Sequence, residues 1–235
     1  MFVAYLVSYT GTAMAPIALA FGVLELTGSA KDSAIVIAAP TLAAVFVLLF
    51  AGVVADRTSR QRVLWIAESV SMVAQFGMAA LFITGQATVV WLTGLMLVHG
   101  VVMAFHQPAA VGFIVQLVKP HELQAANAVL SMARFGAMAG GAALGGLLVA
   151  TVGPGWTLAI DALSFGISAF LVFTLVPKIQ RPPEKASLLE DLRLGWREFT
   201  AHTWLWVIVV QFSLIVAAME AVYGLLGPAY ARSEM

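Results

Sequence analysis

The sequence predicts an all-α fold, a polytopic bundle of helices crossing a lipid bilayer, and three observations predict it. Sixty-one per cent of the residues are hydrophobic, only 10% are charged, and mean hydropathy is +0.96, against about 45–50% apolar and about 25% charged in ordinary soluble domains. A soluble fold of 235 residues has no interior large enough to hide that much apolar surface. Finally, the apolar residues fall in unbroken runs of about twenty, enough to carry a helix across roughly 30 Å of hydrocarbon. A membrane barrel would instead alternate in segments of about ten.

In chain order the predicted spans are 2–24, 34–55, 63–84, 89–111 (extending towards 118), 125–150, 156–176 and 204–226. The connections between them alternate in charge. Three basic residues lie in 56–62, one in 119–122 and five in 178–197, whereas the intervening connections hold Lys31 alone. Nine basic residues against one place the N-terminus and the loops after spans two, four and six in the cytoplasm. Trp65, Trp91, Trp156, Trp204 and Trp206 fall at predicted span ends, where an indole keeps its N–H in the interface.

These spans divide the chain into a six-helix bundle (1–176), a cytoplasmic linker (177–203) and the first helix of a further bundle (204–235). The linker opens on Pro177 and the Pro182–Pro183 pair. Leu188, Leu189, Leu192, Trp196 and Phe199 then recur at helical spacing between charged residues, the pattern of an amphipathic helix lying on the membrane surface. Six helices plus one orphan read as a truncated protein. The N-terminus lacks a basic n-region and a small-residue cleavage site, so no cleaved leader is expected.

Ionisable groups at membrane depth cost at least about 2.5–3.5 kcal/mol on insertion scales and are functional candidates by default. Glu68 in span three, Arg134 in span five, Asp161 in span six and Glu220 in span seven are such groups, and His99 and His106 add titratable imidazoles in span four. Glu68 is near enough to the basic loop to pair with it. Asp161, close to the outer end, faces water at a cavity mouth, caps a packed helix, or meets substrate or proton. Arg134 stays protonated and is expected to face the bundle, against a carboxylate, a substrate anion or backbone carbonyls. Glu220 is a candidate proton carrier. Ser8, Thr12, Gln75, Gln107, Asn127 and Gln211 either line a cavity or bond to neighbouring helices.

Small residues mark the expected helix contacts. Gly136/Gly140 and Gly141/Gly145 are small-xxx-small pairs, with Gly146 beside them, and Gly52 and Gly100 also allow close approach.

Several classes are disfavoured. No cysteine is present, which excludes disulfides and thiol chemistry. There is no phosphate-binding G-x-x-x-x-G-K-[ST] and no H-E-x-x-H or G-x-S-x-G, so neither ATP-driven chemistry nor a membrane-embedded enzyme is expected, and no cofactor, metal or catalytic residue is assigned. Zero net charge gives no sign of a nucleic-acid partner. A half-size or non-transporting scaffold is the remaining alternative.

Between spans two and three stands Gly52-Val-Val-Ala-Asp56-Arg57-Thr-Ser-Arg60-Gln-Arg62. It resembles the loop signature of the major facilitator superfamily: a Gly, three residues, Asp-Arg, then a Gly and a basic pair. Ser59 replaces the second Gly, and Gln61 interrupts the basic pair. Leu26–Ala30, Gln107-Pro108-Ala109, Ala126-Asn127-Ala128 and Leu188–Leu192 with Gly195-Trp196 are similar to the branch holding bacterial macrolide-efflux and siderophore-export proteins. The resemblance implies a twelve-helix secondary transporter in the plasma membrane, with two six-helix halves around a small-molecule cavity, working by alternating access and exporting amphipathic molecules against protons; this chain would be the N-terminal half plus helix seven, and the missing C-terminal half its partner in the bilayer. It implies a gating role for Gly52, Asp56, Arg57, Arg60 and Arg62, latched against the second half. His99 stands near a position where many members carry an arginine linked to proton coupling, and the kinking proline common in span five of the family's antiporters is absent from Gly141-Ala142.

Overall fold

A computed structural model describes the backbone of residues 1–177 and 188–220, and their side chains except at 49–50, 52–57, 188–192, 194 and 216–220. All regular structure among the described residues is helical: α1 (Phe2–Thr27), α2 (Ala30–Arg57), α3 (Arg60–Ile83), α4 (Val89–Leu117), α5 (Leu123–Thr174), α6 (Leu188–Ala201) and α7 (Thr203–Glu220). A single 3₁₀ turn, Pro120–Glu122, leads into α5. The chain divides into two units, Met1–Glu184 and Lys185–Met235.

Predicted spans one to four correspond to α1–α4, and the turns between them follow from local chemistry. Gly28 ends α1 in the left-handed region (φ 68°), where its N–H donates to the Leu24 carbonyl at 2.8 Å. Gly85 takes φ 70° in the turn after α3, and the Thr88 hydroxyl accepts from the Trp91 N–H at the start of α4.

Predicted spans five and six are the two arms of α5, which is broken inside the predicted connection at 151–155, at the non-helical Gly153 (φ 86°, ψ 169°), followed by Pro154. The connection is a tight corner, with no longer loop between the arms. The first arm runs parallel to α1: Arg134 meets Tyr9, Gly141 meets Thr10 and Ala13, and Gly145 meets Met14. The second arm runs antiparallel to α3, with Gly155 against Phe82 and Ile83, Gly166 against Met72, and Val172 bonded by Gln61. Only Gly supplies the positive φ of that corner without strain.

α1 packs on α5, α2 on α4, and α3 between α4 and α5. Where α2 crosses α4, Gly100 lies on the backbone of Pro40, leaving no room for a Cβ. Two apolar clusters hold the bundle. One, towards the turns after α1 and α3, gathers Leu19, Val23, Met78, Leu92, Met96 and Leu158. The other, at the opposite end, gathers Ala4, Leu64, Ala109, Ala110, Phe113 and Val172. Trp65, Trp91 and Trp156 are exposed, as an interfacial belt requires.

In the second unit, Gly195–Ala201 and the start of α7 meet at 88°, with Trp196 and Phe199 in ring contact at 5.9 Å. The segment before that bend alternates charged and apolar residues, and the one after it is apolar. The predicted continuation of the last span to 226 lies outside the described residues.

Candidate functional site

Between the two apolar clusters α1, α3, α4 and the second arm of α5 turn polar. Ser8 on α1, Glu68, Ser71 and Gln75 on α3, His99 and His106 on α4, and Asp161, Ser164 and Ser168 on the second arm of α5 are all buried. In each helix these positions lie, along the chain, between the residues given to the two clusters. They span about two turns, or about 10 Å. The result is a polar layer inside an otherwise apolar bundle.

Its contacts are specific. His106 Nε2 stands 3.0 Å from Glu68 Oε1, and the Ser8 hydroxyl donates to Glu68 Oε2 at 3.2 Å, so one carboxylate joins α1, α3 and α4. His99 Nδ1 lies 3.1 Å from the Ser71 hydroxyl, its ring edge-on to Phe165 at 5.6 Å. Asp161 is fully enclosed. The Ser164 hydroxyl donates to its Oδ1 at 3.3 Å, and Gly11 on α1 lies so close over both side chains that a Cβ would displace them. Asp161 Oδ2 and Gln75 Oε1 have no hydrogen-bond partner among the described residues. Buried acceptors without donors are costly, so such atoms mark places where a proton or a polar guest is favoured.

Two expectations are corrected here. Glu68 does not turn to the basic loop: it lies two turns beyond Arg60, with its carboxylate held by Ser8 and His106. Asp161 is not at a cavity mouth: it lies about two turns into the arm that begins after Gly153 and is fully buried, with Ser164 and Gly11 against it.

Arg134 also departs from expectation. The first arm packs through Ala133, Ala137, Gly141 and Gly145, a buried stripe at i, i+4 spacing. Arg134 stands one residue off that stripe and is exposed, its guanidinium over the Tyr9 ring at 5.5 Å from the centroid. Among the described residues no carboxylate lies within ion-pair distance of it. The same stripe revises the glycines. Gly141 and Gly145 lie against α1, but nothing stands within 4 Å of a Cβ built at Gly136, Gly140 or Gly146, which face outwards.

In the signature loop, the Arg60 guanidinium occupies the space that a Cβ of Gly112 on α4 would take. Gln61 donates through Nε2 to the carbonyls of Val172 (2.9 Å), Phe173 (3.1 Å) and Leu175 (2.6 Å), satisfying the open end of α5. Arg62 is exposed. The side chains of Asp56, Arg57 and Glu220, and the surroundings of Gly52, lie outside the described residues. Of the uncharged polar candidates, Ser8 and Gln75 belong to the buried layer, Thr12 bonds back to the Ser8 carbonyl at 2.8 Å, and Gln107, Asn127 and Gln211 are exposed.

Comparison with known proteins decides the family. The family of transmembrane secretion effectors, a branch of the major facilitator superfamily, matches residues 1–235. The chain belongs to the major facilitator superfamily. It is 28% identical over 238 residues to the multidrug efflux pump Tap of Mycobacterium tuberculosis (strain ATCC 25618 / H37Rv), covering 94% of this chain and 54% of that protein. The Tap protein of Mycobacterium bovis (strain BCG / Pasteur 1173P2) matches over the same lengths at the same identity. The MFS-type transporter YkuC of Bacillus subtilis (strain 168), uncharacterized by its own description, is 31% identical over 196 residues, 79% of this chain and 43% of that one. The chain thus spans about half the length of the curated relatives it matches. Membership makes the helices a multi-pass membrane bundle in a lipid bilayer, which fits the five helices among the described residues that are long and apolar enough to cross, the 120–174 segment among them.

Sequence reasoning missed two residues of this superfamily bundle. Gln61 was only an interruption of the basic pair, because a capping role depends on where α5 ends. Gly11 carries no signal of its own; it is one small residue in an apolar run, and only the fold places it over Asp161.

Proposed function

We propose that this chain is the first bundle and following helix of a secondary transporter that exports small amphipathic molecules, of drug, macrolide or siderophore type, in exchange for protons by alternating access. Three lines support the reading. The family consists of transporters, and the Tap relatives are described as multidrug efflux pumps. The excess of basic residues in alternate connections favours a cytoplasmic N-terminus, and a plasma-membrane location goes with it.

The observation that carries proton coupling is the Glu68–His106 pair within the buried layer. Burying an acid and an imidazole among membrane helices costs more than an apolar core would, and polar groups in that position are retained for function by default. An imidazole beside a carboxylate, with Asp161 on the adjacent arm, gives three groups that exchange protons without exposing a fixed charge to lipid. Bond rearrangement among α1, α3, α4 and α5 then accompanies loading and release, which links protonation to helix movement. Arg60 lying over Gly112 gives the signature loop a grip on α4, so a shift of α4 reaches the gate.

The test is efflux of fluorescent drugs from vesicles bearing the full-length protein, with and without an imposed proton gradient. Accumulation that follows the gradient and collapses with it supports the reading. Movement of no compound under any gradient overturns it.

A further inference from the structure

We infer that Arg134, Tyr9 and Tyr5 form a binding subsite for the carboxylate of an aromatic, amphipathic substrate. The inference rests on the transporter reading and names the substrate class it would move.

A guanidinium stays protonated and offers five N–H donors in a flat fork. That of Arg134 stands about 16 Å along α5 from its start. This depth is beyond the headgroup region and beyond ready snorkelling to the interface. One face of the charge is met by the Tyr9 ring, 5.5 Å away. The residue is otherwise exposed, and no carboxylate among the described residues reaches it. The described residues thus leave this charge without an acidic partner, and an uncompensated charge at membrane depth is unfavourable.

A carboxylate answers that fork with two parallel, charge-assisted hydrogen bonds. The aromatic surface for the rest of such a molecule is beside it: Tyr5 and Tyr9, one turn apart on α1, hold their rings 5.3 Å apart at 51°. A lipophilic cation is disfavoured at this place by like charge.

The test is equilibrium binding to the purified full-length protein in dodecyl maltoside, an uncharged detergent. Anisotropy is read for fluorescein, an aromatic carboxylate, and rhodamine 6G, a cation with the same three-ring body. The wild type is expected to bind fluorescein at least tenfold more tightly than rhodamine 6G. Arg134→Gln should cut that preference at least tenfold, and Tyr9→Leu should weaken fluorescein severalfold. Arg134→Lys, which keeps the charge but not the fork, should weaken fluorescein at least threefold, and it serves if Arg134→Gln does not fold. A wild type that prefers rhodamine 6G, or variants that shift both dyes alike while lowering the melting temperature, would overturn the subsite and leave Arg134 a structural cation. Because binding needs no gradient, its outcome is separate from that of the vesicle experiment.

Discussion

His106 Nε2 lies 3.0 Å from Glu68 Oε1, joining α4 to α3 where both side chains are almost wholly enclosed by the bundle. The Ser8 hydroxyl on the same carboxylate brings in α1. Three helices of a membrane bundle thus meet at one acid, and the energetics of the interior depend on what that acid is bonded to.

The pair should be energetically coupled. In a double-mutant cycle of Glu68→Leu, His106→Leu and the double variant, unfolding in detergent should give a coupling of about 1 kcal/mol or more, within the usual range for contacting buried groups. Each single variant strands one polar group, whereas the double variant removes both, so it should be more stable than the sum of the singles suggests. Additive effects would show that the two side chains do not interact.

The glycines of the first arm should separate into two classes. Gly141→Leu places a side chain against the Thr10 carbonyl and Ala13, and Gly145→Leu places one against Met14. Each should destabilise by about 1–3 kcal/mol, the usual cost of overpacking a tight contact. Gly140→Leu, facing open space, should leave the unfolding transition of this bundle within about 0.5 kcal/mol of wild type. Equal losses at positions 140 and 141 would contradict the stripe through Ala133, Ala137, Gly141 and Gly145.

Orientation is open to direct labelling, since the chain has no cysteine of its own. Thr58→Cys, between α2 and α3, and Gln86→Cys, between α3 and α4, should react with an impermeant maleimide from opposite sides of the membrane. In intact cells only position 86 should label, as a cytoplasmic N-terminus requires. Labelling of position 58 in intact cells would invert the topology.

Much of the fold was legible in the sequence, for a physical reason. Hydrocarbon forces each crossing to be a long apolar helix, so length and hydropathy alone expose α1 to α4. The break between spans five and six was legible in the turn-forming residues of Thr151–Gly155, but its tightness was not, because only the backbone at Gly153 tells a sharp corner from a loop. Residue type marked Glu68, His106 and Asp161 as costly at depth, but not their partners. The bonds of Glu68 to Ser8 and His106 depend on rotation about three helix axes. A shift of 100° separates buried Ala133 from exposed Arg134, and hydropathy does not register it.

The central claim is that protons for transport are held in the polar layer of this bundle. Its most direct test is gradient-driven drug accumulation by vesicles bearing wild-type, Glu68→Gln or Asp161→Asn full-length protein, read beside drug-for-drug exchange at equal pH on both sides. The account predicts that both variants lose gradient-driven accumulation by at least tenfold, about 1.4 kcal/mol of coupling, while exchange persists. Accumulation at wild-type levels in both variants would contradict it.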